Sequence, residues 1–244
     1  MASRWPKILW LVRHGQSAGN VARDAAQAAG LHRIEVAGRD VDVPLSPLGE
    51  EQARALGRWF AGGEARPTVV LSSPYLRAQQ TAQLFRASGG CDADLAICID
   101  ERLREKEFGI LDGLTTSGVA SVYPEQAEFR RILGKFYHRP PGGESWADVI
   151  LRLRSVLDTV SLHHAGEHVV IVAHQVVVLC LRYILEQMDE AGDVANCSVT
   201  EYRLDASHGA SGKLMLTRYN EVAPMDDAHT PVTSAPEPIA AVRG

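Results

Sequence analysis

The 244-residue chain has only four cysteines, and their spacing suits neither a disulfide framework nor a zinc site. They are Cys91, Cys98, Cys180 and Cys197, with no Cys-x-x-Cys pair and no histidines at zinc-ligand spacing. We therefore expect buried or free thiols, and we predict no metal ion and no other cofactor.

Long apolar runs are also missing. The most apolar uncharged run, Val169 to Leu181, is interrupted by His174 and Gln175 and falls short of the roughly 20 residues that cross a bilayer. Residues 1–7 contain no apolar stretch that ends in small residues, as a signal peptide would. The sequence thus predicts a cytoplasmic protein that does not bind membranes.

Basic runs are absent, and the formal net charge is −5. A mildly acidic balance argues against nucleic acid as a partner, because binding to phosphate backbones needs clustered lysine and arginine. Hydrophobic residues make up 45% of the chain and charged residues 23%, which is typical of a globular protein with a substantial core.

Short β-branched runs alternate with amphipathic segments. The predicted strands are Ile8 to Val12, Val69 to Leu71, Leu95 to Ile99 and Val169 to Val172. Ser46-Pro47 and Ser73-Pro74 each predict a helix start, since serine caps free N–H groups and proline suits the first turn. Ser145 and Asp148 approximate a capping box ahead of a helix to about His164. This alternation predicts a three-layer α/β/α sandwich with a mainly parallel sheet.

The C-terminal region has a different pattern. Val199 to Leu204 and Lys213 to Tyr219 are joined by a Ser-, Gly- and Ala-rich segment, which predicts a hairpin and an antiparallel edge on the sheet. Residues 223–244 hold four of the twelve prolines and no aromatic residue, which indicates a disordered tail. One domain is therefore predicted over residues 4–222.

Polar residues follow each predicted strand of the parallel sheet, where α/β proteins bind ligands. The first strand is followed by Arg13, His14, Ser17 and Asn20. A guanidinium can bind phosphate with two hydrogen bonds, and a neighbouring imidazole can attack phosphorus.

The other strands are followed by similar groups. Arg77 lies in the first turn of a predicted helix, where a cation opposes the helix dipole and needs an anionic partner such as a ligand. Glu105 and His174 follow the third and fourth strands. Asp40 and Asp42 precede Pro44 in a predicted turn, and we expect both to be exposed to solvent.

Taken in order, these motifs resemble the histidine phosphatase superfamily, which includes the phosphoglycerate mutases. The matching stretches are Arg13-His-Gly15, Pro44-Leu-Ser-Pro-Leu-Gly-Glu-Glu-Gln-Ala53, Ser73-Pro-Tyr-Leu-Arg-Ala78, Leu103-Arg-Glu105 and His174. The resemblance implies that His14 is the phosphorylated nucleophile and Glu105 the proton donor. It also implies that Arg13, Arg77 and His174 hold the phosphoryl group and that Asn20 contacts phosphate or substrate. Because transfer spreads negative charge over the phosphoryl oxygens, we expect His174 to be protonated and to stabilise that charge.

Residues 135–148 and the Gln175 that follows the second histidine resemble the fructose-2,6-bisphosphatase branch. In that branch Arg131 and Lys135 match residues that bind a sugar phosphate, and Gln175 matches a substrate-contacting glutamine. Two positions depart from the branch: Thr116 stands where it has a tyrosine, and Leu179 where it has an arginine. A solvated basic helix face explains Arg131 and Lys135 equally well.

The resemblance leads us to expect a metal-independent phosphatase that hydrolyses a small phosphorylated metabolite through a phosphohistidine. Phosphoryl transfer of the phosphoglycerate mutase type is one alternative, and a phosphate-binding module without catalysis is another. The sequence leaves a homodimer open.

Overall fold

The β-branched runs form one mixed sheet. The computed structural model describes residues 4–187, 192–209 and 211–234. Within these residues the strands are β1 (Ile8–Arg13), β2 (Val69–Ser72), β3 (Ile97–Ile99), β4 (His168–Ala173), β5 (Val199–Asp205) and β6 (Lys213–Glu221). Their order across the sheet is β3-β2-β4-β1-β5-β6. The first four run parallel, and β5 and β6 run antiparallel at one edge, which confirms the prediction.

Helices connect the strands, and several begin after a serine or threonine whose side chain caps the first turn. They are α1 (Ala18–Ala28), α2 (Pro47–Ala61), α3 (Leu76–Ala87), α4 (Thr116–Val122), α5 (Pro124–Tyr137), α6 (Trp146–His163), α7 (Gln175–Glu186) and α8 (Ala223–Asp227). Ser46 caps α2, and Ser145 forms the expected capping box with Asp148 at the start of α6. No described helix has both the length and the apolar character needed to cross a membrane.

Side chains alternate between the two faces of the sheet, so that each face carries its own core. From β1, Leu9 and Leu11 pack with α6 and α7 on one face, while Ile8, Trp10 and Val12 pack with α2, α3 and α8 on the other. This arrangement is the predicted three-layer α/β/α sandwich.

The predicted start of α3 is wrong in detail. The helix begins at Leu76 with Tyr75 at the N-cap position, instead of following Ser73 directly. The Ser73 hydroxyl accepts a hydrogen bond from the Tyr75 N–H, within the turn that precedes α3. It also contacts Nε2 of His174, the residue that follows β4.

The predicted disordered tail is also wrong for residues 223–234. Met225 of α8 is fully buried in the core between the sheet, α2 and α3. Farther along, Thr233 exchanges two hydrogen bonds with Asn196, at 2.8 and 3.0 Å, and the Pro231 carbonyl accepts one from Gln52. One apolar side chain and a few main-chain contacts order a segment whose proline content suggested disorder. The remaining part of that prediction, residues 235–244, lies outside the described residues.

Two glycines let α2 pack directly on the loop that follows β1. A Cβ atom on Gly49 would lie 1.9 Å from the Gln16 carbonyl oxygen, and one on Gly15 would lie 2.4 Å from the Gly49 carbonyl oxygen. Only residues without side chains permit this approach, which holds the main chain around His14 against the first turn of α2.

Candidate active site

The ends of β1 and β4 bring the two histidines of the sequence motifs together. The His14 N–H donates a 2.9 Å hydrogen bond to the Ala173 carbonyl, next to His174, and the two imidazole rings are 5.1 Å apart between centres. Both side chains are buried. The convergence expected from strand order is therefore present in the structure.

One hydrogen bond fixes which nitrogen of His14 can react. Nδ1 lies 2.7 Å from the carbonyl oxygen of Gly15, which can only accept a hydrogen bond. The proton of a neutral His14 ring therefore lies on Nδ1, and Nε2 keeps a lone pair. This is the form that a nucleophilic imidazole requires.

The tautomer of His174 follows from Ser73. The Ser73 hydroxyl accepts the Tyr75 N–H and lies 2.7 Å from His174 Nε2, which is the one acceptor that the described residues offer to the hydroxyl proton. The ring proton of His174 then lies on Nδ1. Nδ1 is buried without a hydrogen-bond partner in the part of the chain that the structure describes.

Arg13 provides a second buried donor that has no hydrogen-bond partner among the described residues. Its Nη1 donates to the Val194 carbonyl, but its Nε–H has no partner among the described residues. Burial lowers the pKa of Arg13 to about 10, so the guanidinium stays charged at neutral pH. Two orphaned buried donors are costly unless a ligand satisfies them, and both suit an anion.

Two helices begin at the histidine pair without side-chain caps. The side chains of the two N-cap residues, Tyr75 for α3 and His174 for α7, make no hydrogen bond to the first N–H groups of their helices. Helix N-termini carry partial positive charge and exposed donors, so both add to the attraction for an anion.

The guanidinium of Arg77 is nearly buried and is paired with Asp40. Its Nη1 donates to the Asp40 carboxylate at 2.9 Å and to the Asp40 main-chain oxygen at 2.6 Å, and Nη2 donates to the second carboxylate oxygen at 3.1 Å. Asp40 is exposed, as predicted, but its carboxylate also pairs with Arg77, so the anionic partner that Arg77 needs comes from this chain. Asp42, two residues away, is exposed as predicted.

Glu105 lies in the loop after β3. Burial raises the pKa of its carboxyl group, and the nearby Asp40 carboxylate raises it further, while the Lys106 N–H and Arg77 act in the opposite direction. The loop is then shaped by Gly109, whose φ is +56° and where a Cβ would lie 2.1 Å from the Pro141 carbonyl oxygen.

A buried ion pair supports the Glu105 loop. Arg152 of α6 pairs with Glu144 at 2.9 and 3.0 Å, and donates to the main-chain carbonyls of Arg102 and Glu105. Arg104 adds a further contact to Glu144 at 2.8 Å. These bonds fix the main chain at Glu105, and the sequence motifs gave no indication of them.

The pKa values of the two histidines favour the neutral form of both, whereas His174 was expected to be protonated. Burial lowers the pKa of both His14 and His174 well below the usual range, and Arg77 and Arg13 lower both further. Neutral His14 is what nucleophilic attack requires. His174, expected to be protonated, is neutral in the ligand-free protein and can still donate through Nδ1.

Ser17 and Asn20 form a capping box. The Ser17 hydroxyl accepts the Asn20 N–H at 3.1 Å, and the Asn20 side chain accepts the Ser17 N–H at 3.0 Å, so both stabilise the start of α1 beside the His14 loop. Asn196, which the sequence analysis missed, donates a 2.9 Å hydrogen bond to the His14 carbonyl and lies 3.4 Å from the Asn20 side-chain oxygen. No pattern in the sequence pointed to Asn196.

Three further residues were predicted to contact the substrate, and the structure places them as follows. Gln175 is buried and begins α7 next to His174. Arg131 is exposed and pairs with Glu128 of the same helix at 2.6 and 2.8 Å, which favours the solvated-face interpretation for Arg131. The Lys135 ammonium lies 4.2 Å from the centre of the Trp146 ring.

The sequence profile of the histidine phosphatase superfamily (branch 1) matches residues 9–216. The chain belongs to this superfamily. The chain is 33% identical over 176 residues to the 6-phosphofructo-2-kinase/fructose-2,6-bisphosphatase of Caenorhabditis elegans, covering 72% of this chain and 33% of that protein. The chain thus matches only about a third of the length of that relative.

Other relatives are matched over nearly their full length. A probable phosphoglycerate mutase of Yersinia enterocolitica is 27% identical over 224 residues, covering 89% of this chain and 94% of that protein. The structure of a mycobacterial glucosyl-3-phosphoglycerate phosphatase in complex with VO3 is similar with a TM-score of 0.68 and 28% identity, covering 88% of this chain and 99% of that one. Proteins named as phosphatases and as mutases therefore both occur among the relatives of this chain.

Proposed function

We propose that the protein is a metal-independent phosphatase that hydrolyses a small phosphomonoester through a phosphohistidine on His14. The observation that carries the proposal is that one site holds both a free lone pair, on His14 Nε2, and two buried donors without a partner, Arg13 Nε–H and His174 Nδ1–H. Donors fixed in advance around a reacting phosphorus stabilise the charge of the transition state without reorganisation.

In the first step, Nε2 of His14 attacks phosphorus while the bond from phosphorus to the ester oxygen breaks. Arg13, Arg77 and His174 donate to the phosphoryl oxygens. Glu105 gives its proton to the leaving oxygen, which a raised pKa favours because it keeps the carboxyl group protonated. The products of this step are the free alcohol and phosphohistidine.

In the second step, water attacks the phosphohistidine in line with the P–N bond. Glu105, now a carboxylate, takes a proton from the water. The P–N bond breaks, its electron pair returns to His14 Nε2, and inorganic phosphate is released. The enzyme then regains its starting protonation state.

The surroundings of Leu179 support a small substrate more than a sugar bisphosphate. This residue stands where the fructose-2,6-bisphosphatase branch has a substrate-binding arginine, and it is buried in the core on α7. An apolar side chain packed there supplies no charge to a second phosphate group.

The direct test is rapid-quench labelling with ³²P-labelled phosphomonoesters in excess chelator. We expect acid-labile label on His14 and turnover of a panel of small phosphate esters, and neither in His14→Ala. His208→Ala, an exposed histidine on the β5–β6 turn, is the matched control. Unchanged hydrolysis by His14→Ala, or activity that disappears with chelation, would overturn the proposal.

A mutase is the second candidate, because the match to the probable phosphoglycerate mutase spans 94% of that protein. It would return the phosphoryl group from His14 to another substrate hydroxyl instead of to water. Isomerisation of phosphoglycerate that depends on a bisphosphate primer and far exceeds hydrolysis would decide for it. Phosphate binding without any label on His14 would indicate a non-catalytic module.

A further inference from the structure

Arg77 carries five N–H donors, and Asp40 uses only part of them. Both Nη1–H groups are taken, one by the Asp40 carboxylate and one by its main-chain oxygen, and one Nη2–H is taken by the second carboxylate oxygen. The Nε–H and the other Nη2–H hydrogen-bond nothing in residues 4–187, 192–209 and 211–234. These two donors form the second fork of the guanidinium, which is the geometry that binds two oxygens of a phosphoryl group.

Asp40 therefore does not have to leave for a phosphoryl group to bind Arg77. The guanidinium also lies 4.8 Å above the Tyr75 ring, and its side chain is only 7% exposed. With one fork held by Asp40 and one face held by Tyr75, the plane of the guanidinium is fixed before the substrate arrives. The same Tyr75 ring is 5.0 Å from the His174 ring between centres, so the guanidinium lies beside the histidine pair.

The segment that carries Asp40 is anchored to the same region. Asp40 begins a 3₁₀ turn, Asp40–Asp42, and the chain after it is held by the buried side chains of Val43 and Leu45. The Pro44 carbonyl accepts the Ala18 N–H at the start of α1. The main chain that follows Asp40 is thus anchored by contacts that do not involve Arg77.

We propose that Asp40 is a positioning residue for catalysis, which holds one fork of Arg77 so that the Nε and Nη2 donors of the other fork meet the phosphoryl group. This inference rests on the proposed function and adds a residue to it. A free arginine side chain has many rotamers, so fixing the guanidinium in advance removes an entropic cost from substrate and transition-state binding.

The test measures binding of orthovanadate, a mimic of the transferring phosphoryl group, together with turnover of 4-nitrophenyl phosphate. We expect Asp40→Asn to weaken vanadate binding and to lower kcat/KM, each by about tenfold, as expected when one charge-assisted contact no longer orients the guanidinium. Asp40→Glu, which keeps the carboxylate, should recover part of the loss. Asp42→Asn is the matched control, since Asp42 lies in the same turn but pairs with the exposed Arg39.

A double-mutant cycle separates positioning from a general structural role. In an Arg77→Ala background, vanadate binding measured by calorimetry should change by less than about threefold when Asp40→Asn is added. A tenfold loss in both backgrounds would overturn the proposal, because the effect would then be independent of Arg77. Tighter vanadate binding by Asp40→Asn would also overturn it, since Asp40 would then compete with the phosphoryl group.

These outcomes differ from a failure of the proposed function. If the wild-type protein neither binds vanadate nor hydrolyses any ester, the phosphatase proposal fails, and the role of Asp40 fails with it. If the wild type is active and Asp40→Asn matches it in both measurements, only the role of Asp40 is wrong.

Discussion

The Ser73 hydroxyl donates to Nε2 of His174 across 2.7 Å, so a residue at the end of β2 sets the tautomer of a residue at the end of β4. These strands are neighbours in the sheet, with Ser72 paired to Val172. The register of two parallel strands therefore decides which nitrogen of His174 presents its proton to a ligand.

Removing the Ser73 hydroxyl should impair catalysis more than folding. In Ser73→Ala the Nε2 atom loses its donor, and His174 divides between tautomers, only one of which directs an N–H from Nδ1. We expect kcat/KM to fall about 10- to 100-fold, the size typical when the partner that orients a functional imidazole is lost. Ser73→Thr keeps the hydroxyl and should keep most activity. Equal activity in the alanine variant would show that the hydrogen bond has no catalytic role.

The loss caused by Glu105→Gln should depend on the leaving group. Alkoxides need a proton as they leave, so we expect turnover of alkyl phosphates to fall about 10²- to 10⁴-fold. Nitrophenolate leaves without a proton, so 4-nitrophenyl phosphate should still phosphorylate His14 and give a burst of nitrophenolate before slow steady-state turnover. Stopped-flow absorbance distinguishes the two phases. An equal loss of the burst and of alkyl turnover would contradict the role of Glu105 as a proton donor.

The free energy of unfolding should fall as the pH is lowered below about 6.5, the usual pKa of histidine. The lowered pKa values of His14 and His174 mean that the unfolded chain binds these protons more readily than the folded one. Each histidine then contributes a slope of up to about 1.4 kcal/mol per pH unit. The raised pKa of Glu105 acts in the opposite direction, since its contribution is lost as the pH rises above its unfolded value.

Urea unfolding of His174→Asn across this pH range isolates the contribution of one histidine. We expect a shallower dependence on pH than in the wild type, because the variant has lost one group whose pKa is lowered by folding. A slope equal to that of the wild type would mean that folding does not lower the pKa of His174.

Gly49→Ala should both destabilise the protein and lower its activity. The added Cβ meets the main chain of Gln16 at 1.9 Å, so either α2 or the His14 loop has to move. We expect a loss of about 1–3 kcal/mol in the free energy of unfolding, the usual cost of overpacking. Gly62→Ala at the other end of α2 is the control, because its Cβ would meet nothing closer than the Trp59 carbonyl oxygen at 3.7 Å. Equal stability of the two variants would contradict the close approach.

The sequence was sufficient for the sheet and for the residues that follow its strands, since β-branched periodicity and serine caps are local signals. It was insufficient for the pairing of Asp40 with Arg77, because the two residues are 37 positions apart and the path of the chain between them decides whether they meet. Arg152 and Asn196 were missed for the same reason: each acts on a main-chain carbonyl, and nothing in the local sequence marks which carbonyl is near. Ser73 was assigned to the wrong partner because the capping pattern is equally consistent with a contact across the sheet.

The ordered C-terminal segment bears on how the protein can be shortened. Thr233 forms two hydrogen bonds with Asn196, and Asn196 in turn donates to the main-chain carbonyl of His14, so the segment is connected to the His14 loop through one residue. A chain cut at residue 222, where composition suggests that the domain ends, would lose this connection together with the buried Met225. Loss of activity in such a truncated protein would then reflect a less ordered loop around His14, even though all the predicted catalytic residues remained.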